Sequence, residues 1–276
     1  MQTRTYADLF ELVSALCGVT FATIEEPRIR ALMNRRAVRA FKSSNYWTRF
    51  IKIGEERRLS GDSAAVTTTV SGSSYYIATV GDTNFTLIGA NSNTIGVYFT
   101  ATGAGTGTGT VFPALDYLPY TQTGLNTIDS FLRVFVYAPF KTMGSQEYQY
   151  TVGSDGAELI SGTVSPSSAF VAYKSVLTFS TAAGATSQSL TSSSLIPEEW
   201  FEYIAHGTYA DYLRAEGQQE KAALADAEAS EILLDELMKL DEQHTQTVIA
   251  KRIFTNMNMQ SRYGGGGGAL GANGNG

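Results

Sequence analysis

Charge is scarce through the middle of this chain. Residues 59–194 make up about half of its 276 residues yet hold only ten of its 46 charged side chains. Cysteine occurs once, at Cys17, which excludes an intrachain disulfide. Cys17 falls in a helical apolar pattern and is expected as a buried thiol. Histidine occurs twice, at His206 and His244. A zinc site or a catalytic triad would need Cys17 or distant carboxylates beside them, and no motif brings these together, so no metal, cofactor or catalytic residue is expected. Both histidines are expected at a surface or an interface. No run of 18 apolar residues exists, so no membrane partner is expected. Arg4 is followed by Asp8 and Glu11 rather than by an apolar stretch, and the N-terminus does not read as a signal peptide.

What is present divides the chain into textures. The ends are charged, Leu/Ala-rich and helical in pattern. Thr5-Tyr6-Ala7-Asp8 reads as a helix start, and Leu9, Leu12, Val13 and Leu16 recur at helical spacing up to Gly18. Thr23-Ile24-Glu25-Glu26 fits a capping box, with Pro27 in the first turn of a second helix. That helix turns Ile29, Leu32, Met33, Ala37, Ala40 and Phe41 to one side. Arg28, Arg30, Arg35, Arg36 and Arg39 lie on the other, a solvated face or one that meets an acidic partner. Residues 46–58 are aromatic and are expected to lead into the core. Helix returns at Pro197, read as its first position, with Glu198 and Glu199 favourable to its dipole. Gly217 ends it. A further helix is expected over 218–243, with Ala223, Ala227, Ser230, Leu234 and Leu237 as its packing seam. The last two helices read as an αα-hairpin.

Between the ends, short β-prone runs alternate with Gly, Asn and Ser turns. Strands are expected at 66–70, 75–80, 85–88 and 95–100, then at 131–137, 148–152, 170–173 and 176–179, with a polar linker over 181–194. The strip Gly103-Ala104-Gly105-Thr106-Gly107-Thr108-Gly109-Thr110 lacks the Gly-Lys-Ser/Thr ending and the following helix of a phosphate loop. It reads as an extended edge or a tight turn. Asp155 in Gly-Ser-Asp-Gly is a single carboxylate and no calcium site.

The fold class expected is therefore α+β: a helical bundle or αα-hairpin core from residues 1–58 and 195–246, opened by β-rich insertions. One insertion is a small module over 62–112; the other is a strand region over 113–194. Residues 247–276 are expected as a flexible arm. The helical ends carry opposite charge, eleven basic against six acidic residues in 1–58 and three against thirteen in 195–246. Either the ends pack on each other, or neighbouring copies meet basic face to acidic face. In the second case Arg28, Arg35, Arg36 and Arg39 meet Glu228, Glu231 and Asp235.

Two stretches resemble proteins of tailed bacteriophages. Residues 74–90, with their Phe85-Thr86-Leu87-Ile88-Gly89-Ala90 block, continue through Phe99-Thr100-Ala101-Thr102-Gly103 to Thr110. They are similar to a small β module recurring in phage structural and tail-associated proteins. Ile196-Pro197-Glu198-Glu199-Trp200-Phe201, continuing through Tyr209 to Gln218, resembles the C-terminal helices of head-to-tail adaptor (connector) proteins. Phe170-Val171-Ala172-Tyr173-Lys174 is similar to the strand that precedes those helices. The resemblance implies a structural virion protein rather than an enzyme. It would form a homo-oligomeric ring, commonly of twelve copies, at the neck between portal protein and tail or nozzle protein. Double-stranded DNA would pass through without specific binding, and assembly would occur in the host cytoplasm. An acidic lumen would suit such a conduit, because phosphate does not stick to it. The resemblance also gives residues from Thr245 onward a role as an arm reaching the portal, with Val248, Ile249, Ile253, Phe254, Met257 and Met259 as adaptable anchors. A frayed terminus is the plainer reading of the same residues.

A second class of function is a collar- or fibre-type adhesin that binds host surface glycans. Tyr75, Tyr76, Tyr98 and Phe99 would stack on sugars, although strand aromatics usually fill cores. A glycan-cleaving enzyme lacks a candidate carboxylate pair.

Overall fold

The computed structural model describes residues 2–139, 146–160 and 167–263, with side chains in the last helix described as far as Glu242. In chain order the elements are β1 (Thr3–Thr5), α1 (Tyr6–Cys17), α2 (Glu26–Ser43), β2 (Ile51–Arg58), β3 (Ala64–Ala65), β4 (Ser74–Thr79) and β5 (Tyr98–Thr100). There follow β6 (Thr110–Pro113), β7 (Tyr117–Pro119), β8 (Ile128–Phe135), β9 (Gln149–Val152), β10 (Gly156–Ile160) and β11 (Ser168–Ser175). The chain then forms β12 (Phe179–Ser180), β13 (Thr186–Ser187), β14 (Leu195–Pro197), α3 (Glu198–Ala215) and α4 (Gln219–Tyr263). The fold is mixed, with helices and antiparallel strands. It divides into two compact units. One comprises 1–44, 180–185 and 189–276, and the other 45–179 and 186–188.

The first unit is helical. Thr5 caps α1 with the reciprocal bonds of a capping box: Asp8 N–H donates to Thr5 Oγ1, and Thr5 N–H donates to the Asp8 carboxylate. Gly18, at φ 66°, closes the helix in the left-handed conformation that its sequence position called for. β1 pairs antiparallel with β14, joining the start of the chain to the entry of α3. α3 is the central helix and packs against α1, α2 and α4. Trp200, Phe201, Ile204, Ala205, Ala210 and Leu213 of α3 are buried with Leu9, Val13, Ile29, Met33 and Ala37 of α1 and α2.

Several expectations for this unit change. The second capping box does not form: α2 starts at Glu26 without a side-chain cap, and Glu25 instead accepts a bond from Ala22 N–H. Pro197 stands one position earlier than expected, as the residue before α3. The packing seam of α4 is Ala222, Ala225 and Ala229, whereas Ala223, Ala227, Ser230 and Leu234 are exposed. α4 also continues to Tyr263, well past the end expected at 243. The glycine-rich stretch 264–276 lies outside the described residues. Cys17 is half-buried rather than fully enclosed, and burial pushes its thiol up to about 11.

The second unit is β-rich and takes in residues 45–58, which the sequence reading assigned to the helical core. The reason is β2: it pairs along its whole length with β11, which pairs on its other side with β8. As the central strand, β11 buries Ala169, Val171, Ala172, Tyr173, Lys174 and Ser175, on both of its faces. A second sheet, β7–β10–β9, packs Leu118 and Ala157 into the same core. Val176 and Leu177 lie outside any strand.

Within this unit, residues 64–113 form a four-stranded sheet of order β3–β6–β4–β5. Val66, Tyr75, Ile77, Phe85, Ile88, Phe99 and Val111 make a core of its own. Two expected strands are 3-10 turns instead, Val66–Thr68 and Phe85–Ile88. The second is set by asparagines: Asn84 accepts from Thr86 N–H, and Asn93 accepts from Phe85 N–H. The glycine-threonine strip is a close-packed loop before β6. Asp82 accepts from the backbone and hydroxyl of Thr108, and Thr83 Oγ1 accepts from Gly109 N–H. A β-carbon at Gly107 or Gly109 would collide with Thr83. The module's ends meet, since Gly61 N–H donates to Pro113 O and Ser60 bridges to Ala114.

Candidate interaction surfaces

The helical unit is pinned by a charge cluster that joins three helices. Arg36 of α2 is buried and directs its guanidinium at two aspartates. Nε and Nη2 donate to the two oxygens of Asp211 on α3, at 2.9 and 2.7 Å, and Nη1 donates to Asp226 on α4 at 2.7 Å. Arg35 reaches Asp211 at 2.7 Å, and Arg214 donates to Asp211 at 3.1 Å and to Asp226 at 2.8 Å. The bidentate fork matches the carboxylate plane, the strongest ion-pair geometry available to a side chain. Burial alone would push the Asp211 carboxyl up. The bonds from Arg36 and Arg35 outweigh it and hold Asp211 below the ordinary carboxylate value. Asp226 is likewise lowered against its own burial, by Arg214 and Arg36. Burial opposes the charge on Arg36, yet Asp211 and Asp226 raise its pKa above the usual arginine value.

This cluster corrects one expectation. Arg36 was to contact a neighbouring copy, but it is 2% exposed and spends its donors within the chain. Arg35 is exposed at its stem and paired at its tip with Asp211. Arg28 and Arg39 stand exposed on α2, as do Glu228, Glu231 and Asp235 on α4. Glu228 lies 3.4 Å from Nδ1 of His206. The signal in the sequence was Gly207, a glycine within a helical run, which costs about 1 kcal/mol against alanine unless something needs the space. Arg36 needs it.

The outer part of α4 is the other notable surface. Among its described side chains the last fully enclosed one is Ala229, and Ile232, Leu233, Leu237 and Leu240 beyond it are half-buried. Leu234 and Met238 are 54% and 63% exposed, and Leu224 is exposed as well. At 1.5 Å per residue a helix of 45 residues is about 68 Å long. Its outer turns therefore carry apolar side chains that this chain alone leaves open to solvent. Val248, Ile249, Ile253, Phe254, Met257 and Met259 fall within its backbone, and their side chains, with that of His244, lie outside the described residues.

In the β unit a second charged group is enclosed. Arg57 is fully buried on β2. It donates to Glu55 at 2.8 Å and to Asn126 O, and lies over the ring of Tyr173 at 4.8 Å. Tyr173 in turn donates to Glu55 at 2.9 Å. This explains how a strand as polar as Ile51–Arg58 enters a core. Of the four aromatics proposed to stack on sugars, Tyr75 and Phe99 are 7% and 3% exposed and belong to the module's interior. Tyr76 and Tyr98 point the other way.

Among the described residues no group of three His, Cys, Asp or Glu side chains is placed to hold a metal ion. No described helix is long and apolar enough to cross a membrane. No protein-family model, curated protein or solved structure matches the chain.

Proposed function

We propose that this chain is a structural subunit of a tailed-phage neck, a head-to-tail adaptor that assembles as a ring on the portal and lets DNA pass to the tail. The observation that carries the reading is α4. A helix of 45 residues is anchored near its start, where Ala222, Ala225 and Ala229 are buried and Asp226 and Glu228 meet side chains of α2 and α3, while Leu234 and Met238 beyond them stay open. A long helix that outruns its own packing and leaves Leu234 and Met238 in solvent is an element suited to another chain. The resemblance of residues 196–218 to adaptor helices supplies the identity of that chain, the portal. Arg28 and Arg39 on α2 and Glu231 and Asp235 on α4 supply the unlike faces that a closed ring of identical subunits requires. The expected ring has twelve copies.

The test is to mix the purified protein with portal assemblies and follow sedimentation and particle images. A ring seated on the portal, with one adaptor for each portal subunit, is the expected outcome. A protein that stays monomeric and never binds portal, at any salt or concentration tried, rejects the reading.

A further inference from the structure

An antiparallel sheet with one face on a core normally turns polar residues outward on the other. The sheet of residues 64–113 does so at Ser74, Thr100 and Thr110, but not beside them. Its inner face holds Tyr75 opposite Phe99, and its outer face holds a row of aromatics in direct register. Tyr98 of β5 stands opposite Tyr76 of β4, and Tyr76 stands opposite Phe112 of β6. The rings of Tyr76 and Tyr98 meet at 5.3 Å, tilted at 60°. Past Phe112 the row is continued by Arg58, whose guanidinium lies over the Phe112 ring at 4.4 Å. Tyr98 is 54% exposed. Neighbouring strands are ~4.8 Å apart, so the three rings span ~10 Å.

Two hollows flank the row and share Tyr76. One, of about 920 Å³, is also lined by Ser73, Ser74, Tyr98, Pro113 and Asp116. The other, of about 480 Å³, is lined by Arg58, Phe112, Gln122 and Glu56. Their polar groups are unequally engaged. Gln122 is held by Arg58 and Ser60 backbone atoms, and Glu56 accepts from Ser168. Ser74 Oγ accepts the Tyr98 hydroxyl at 2.8 Å, which fixes that ring. Among the described residues, no carboxylate pairs with Arg58, and neither Asp116 nor the Tyr76 hydroxyl has a hydrogen-bond partner. Burial, with the nearby Tyr98 and Asp116, raises the Tyr76 phenol, so it stays a donor at neutral pH.

We propose that this outer face is a binding site for an oligosaccharide of two or three rings. The chemistry fits that class. A pyranose has one face of C–H groups that lies flat on an aromatic ring, and a rim of hydroxyls. The repeat of such a chain is close to the strand spacing, so successive sugars can rest on Tyr98 and Tyr76, with the Arg58–Phe112 stack closing the row. Asp116 accepts from one sugar's hydroxyls, the Tyr76 hydroxyl bridges, and the Arg58 fork donates to a vicinal pair at the far end. The site stands on the module's own core and does not depend on ring assembly or portal binding.

The experiment is to screen the full chain against immobilised neutral hexose, N-acetylhexosamine and uronate oligosaccharides. The best binder is then titrated in solution against the wild type, Tyr98→Ala, Asp116→Ala, Arg58→Met and, as a control on the helical unit, Leu224→Ala. Tyr98 and Asp116 are exposed, and circular dichroism and melting verify that each variant folds. Binding of one class, weakened ten-fold or more by Tyr98→Ala and by Asp116→Ala but unchanged by Leu224→Ala, is expected. No oligosaccharide bound by the folded wild type overturns the proposal, as does binding that folded Tyr98→Ala retains in full. Since portal binding is read separately, a failure here leaves the adaptor reading standing, and the reverse also holds.

Discussion

Gly207 on α3 lies directly beneath the side chain of Arg36 on α2. A β-carbon at Gly207 would sit 2.8 Å from Cδ of Arg36 and 3.0 Å from its Nε. Those atoms cannot swing aside, because the guanidinium beyond them is held by Asp211 and Asp226. The pair sets the separation of two helices: one residue gives up its side chain so that the other can pass. Gly207→Ala therefore reverses the ordinary preference. In an exposed helix interior it would stabilise by about 1 kcal/mol; here it should destabilise by about 1–3 kcal/mol, the cost of overpacking. Urea unfolding followed by far-ultraviolet dichroism measures this, and a gain in stability would show that Arg36 moves freely.

The partner experiment removes the charge. Asp211→Ala leaves Arg36 buried with one of its two acids, and breaking a buried pair in this way costs about 3–5 kcal/mol. Arg36→Met with Asp211→Leu removes both charges and should recover much of the loss. A double variant as unstable as the single one would mean that the cluster specifies packing beyond its charges.

Acid should loosen the same unit. Asp211 and Asp226 both have folded pKa values below the ordinary 3.8. A carboxylate lowered by folding contributes stability that is complete above its unfolded pKa and lost as pH falls through the folded one. Stability should thus be flat near neutrality and decline below about pH 4. Asp211→Asn should be less stable at pH 7 and show a shallower decline. An equally steep decline in that variant would place the acid sensitivity elsewhere.

Cys17 offers a simple probe of α1. With its thiol pushed up to about 11, it is almost wholly protonated at neutral pH. Since the thiolate is the nucleophile, alkylation by iodoacetamide should be slow at pH 7.5 and quicken as pH rises toward that value. Reaction as fast as that of a free cysteine would show the end of α1 to be open.

The parts of this architecture that follow local rules could be read in advance. Thr5 and Asp8 cap α1, Gly18 ends it, and the charge-poor run after residue 59 marks the β region. What escaped was set by distant partners. The strand Ile51–Arg58 carries four charges in a row, a pattern no propensity assigns to a core, and it enters one because Glu55 and the Asn126 carbonyl take up Nε and Nη2 of Arg57. The seam of α4 was misplaced because alanines on either side of it fit helical spacing equally well, and only the packing on α3 selects Ala222, Ala225 and Ala229. Phe85–Ile88 is too short for its periodicity to separate strand from turn, and Asn84 and Asn93 decide it. The outer aromatic row was half legible. Tyr76 and Tyr98 were visible as strand aromatics, but Phe112 joins them only through the pairing of β4 with β6, and Arg58 only by lying over Phe112.

The module should be separable. Its two ends are joined by the Gly61–Pro113 bond, and it has a core of its own. Replacing residues 63–112 by a short Gly/Ser linker adds little closure cost, because the ends already meet. The trimmed chain should remain soluble, keep its helical dichroism and bind portal as before. Loss of soluble helical protein would show that the rest of the chain needs the module to fold.

Truncation after His244 tests the purpose of α4. The remaining helix keeps the described anchorage, Ala222, Ala225, Ala229 and the Asp226 bonds, so the fold of the helical unit should be unaffected. What is removed includes Val248, Ile249, Ile253, Phe254, Met257 and Met259, with Lys251, Arg252 and Arg262 among them. If these residues grip the portal, affinity should fall at least ten-fold, about 1.4 kcal/mol. The salt dependence should also weaken, since three cations leave with the segment. Leu234→Ser with Met238→Ser, on the full-length chain, tests the apolar turns nearer the anchor in the same assay. Portal affinity and salt dependence unchanged by the truncation would leave residues 245–276 as a terminus without a role in docking.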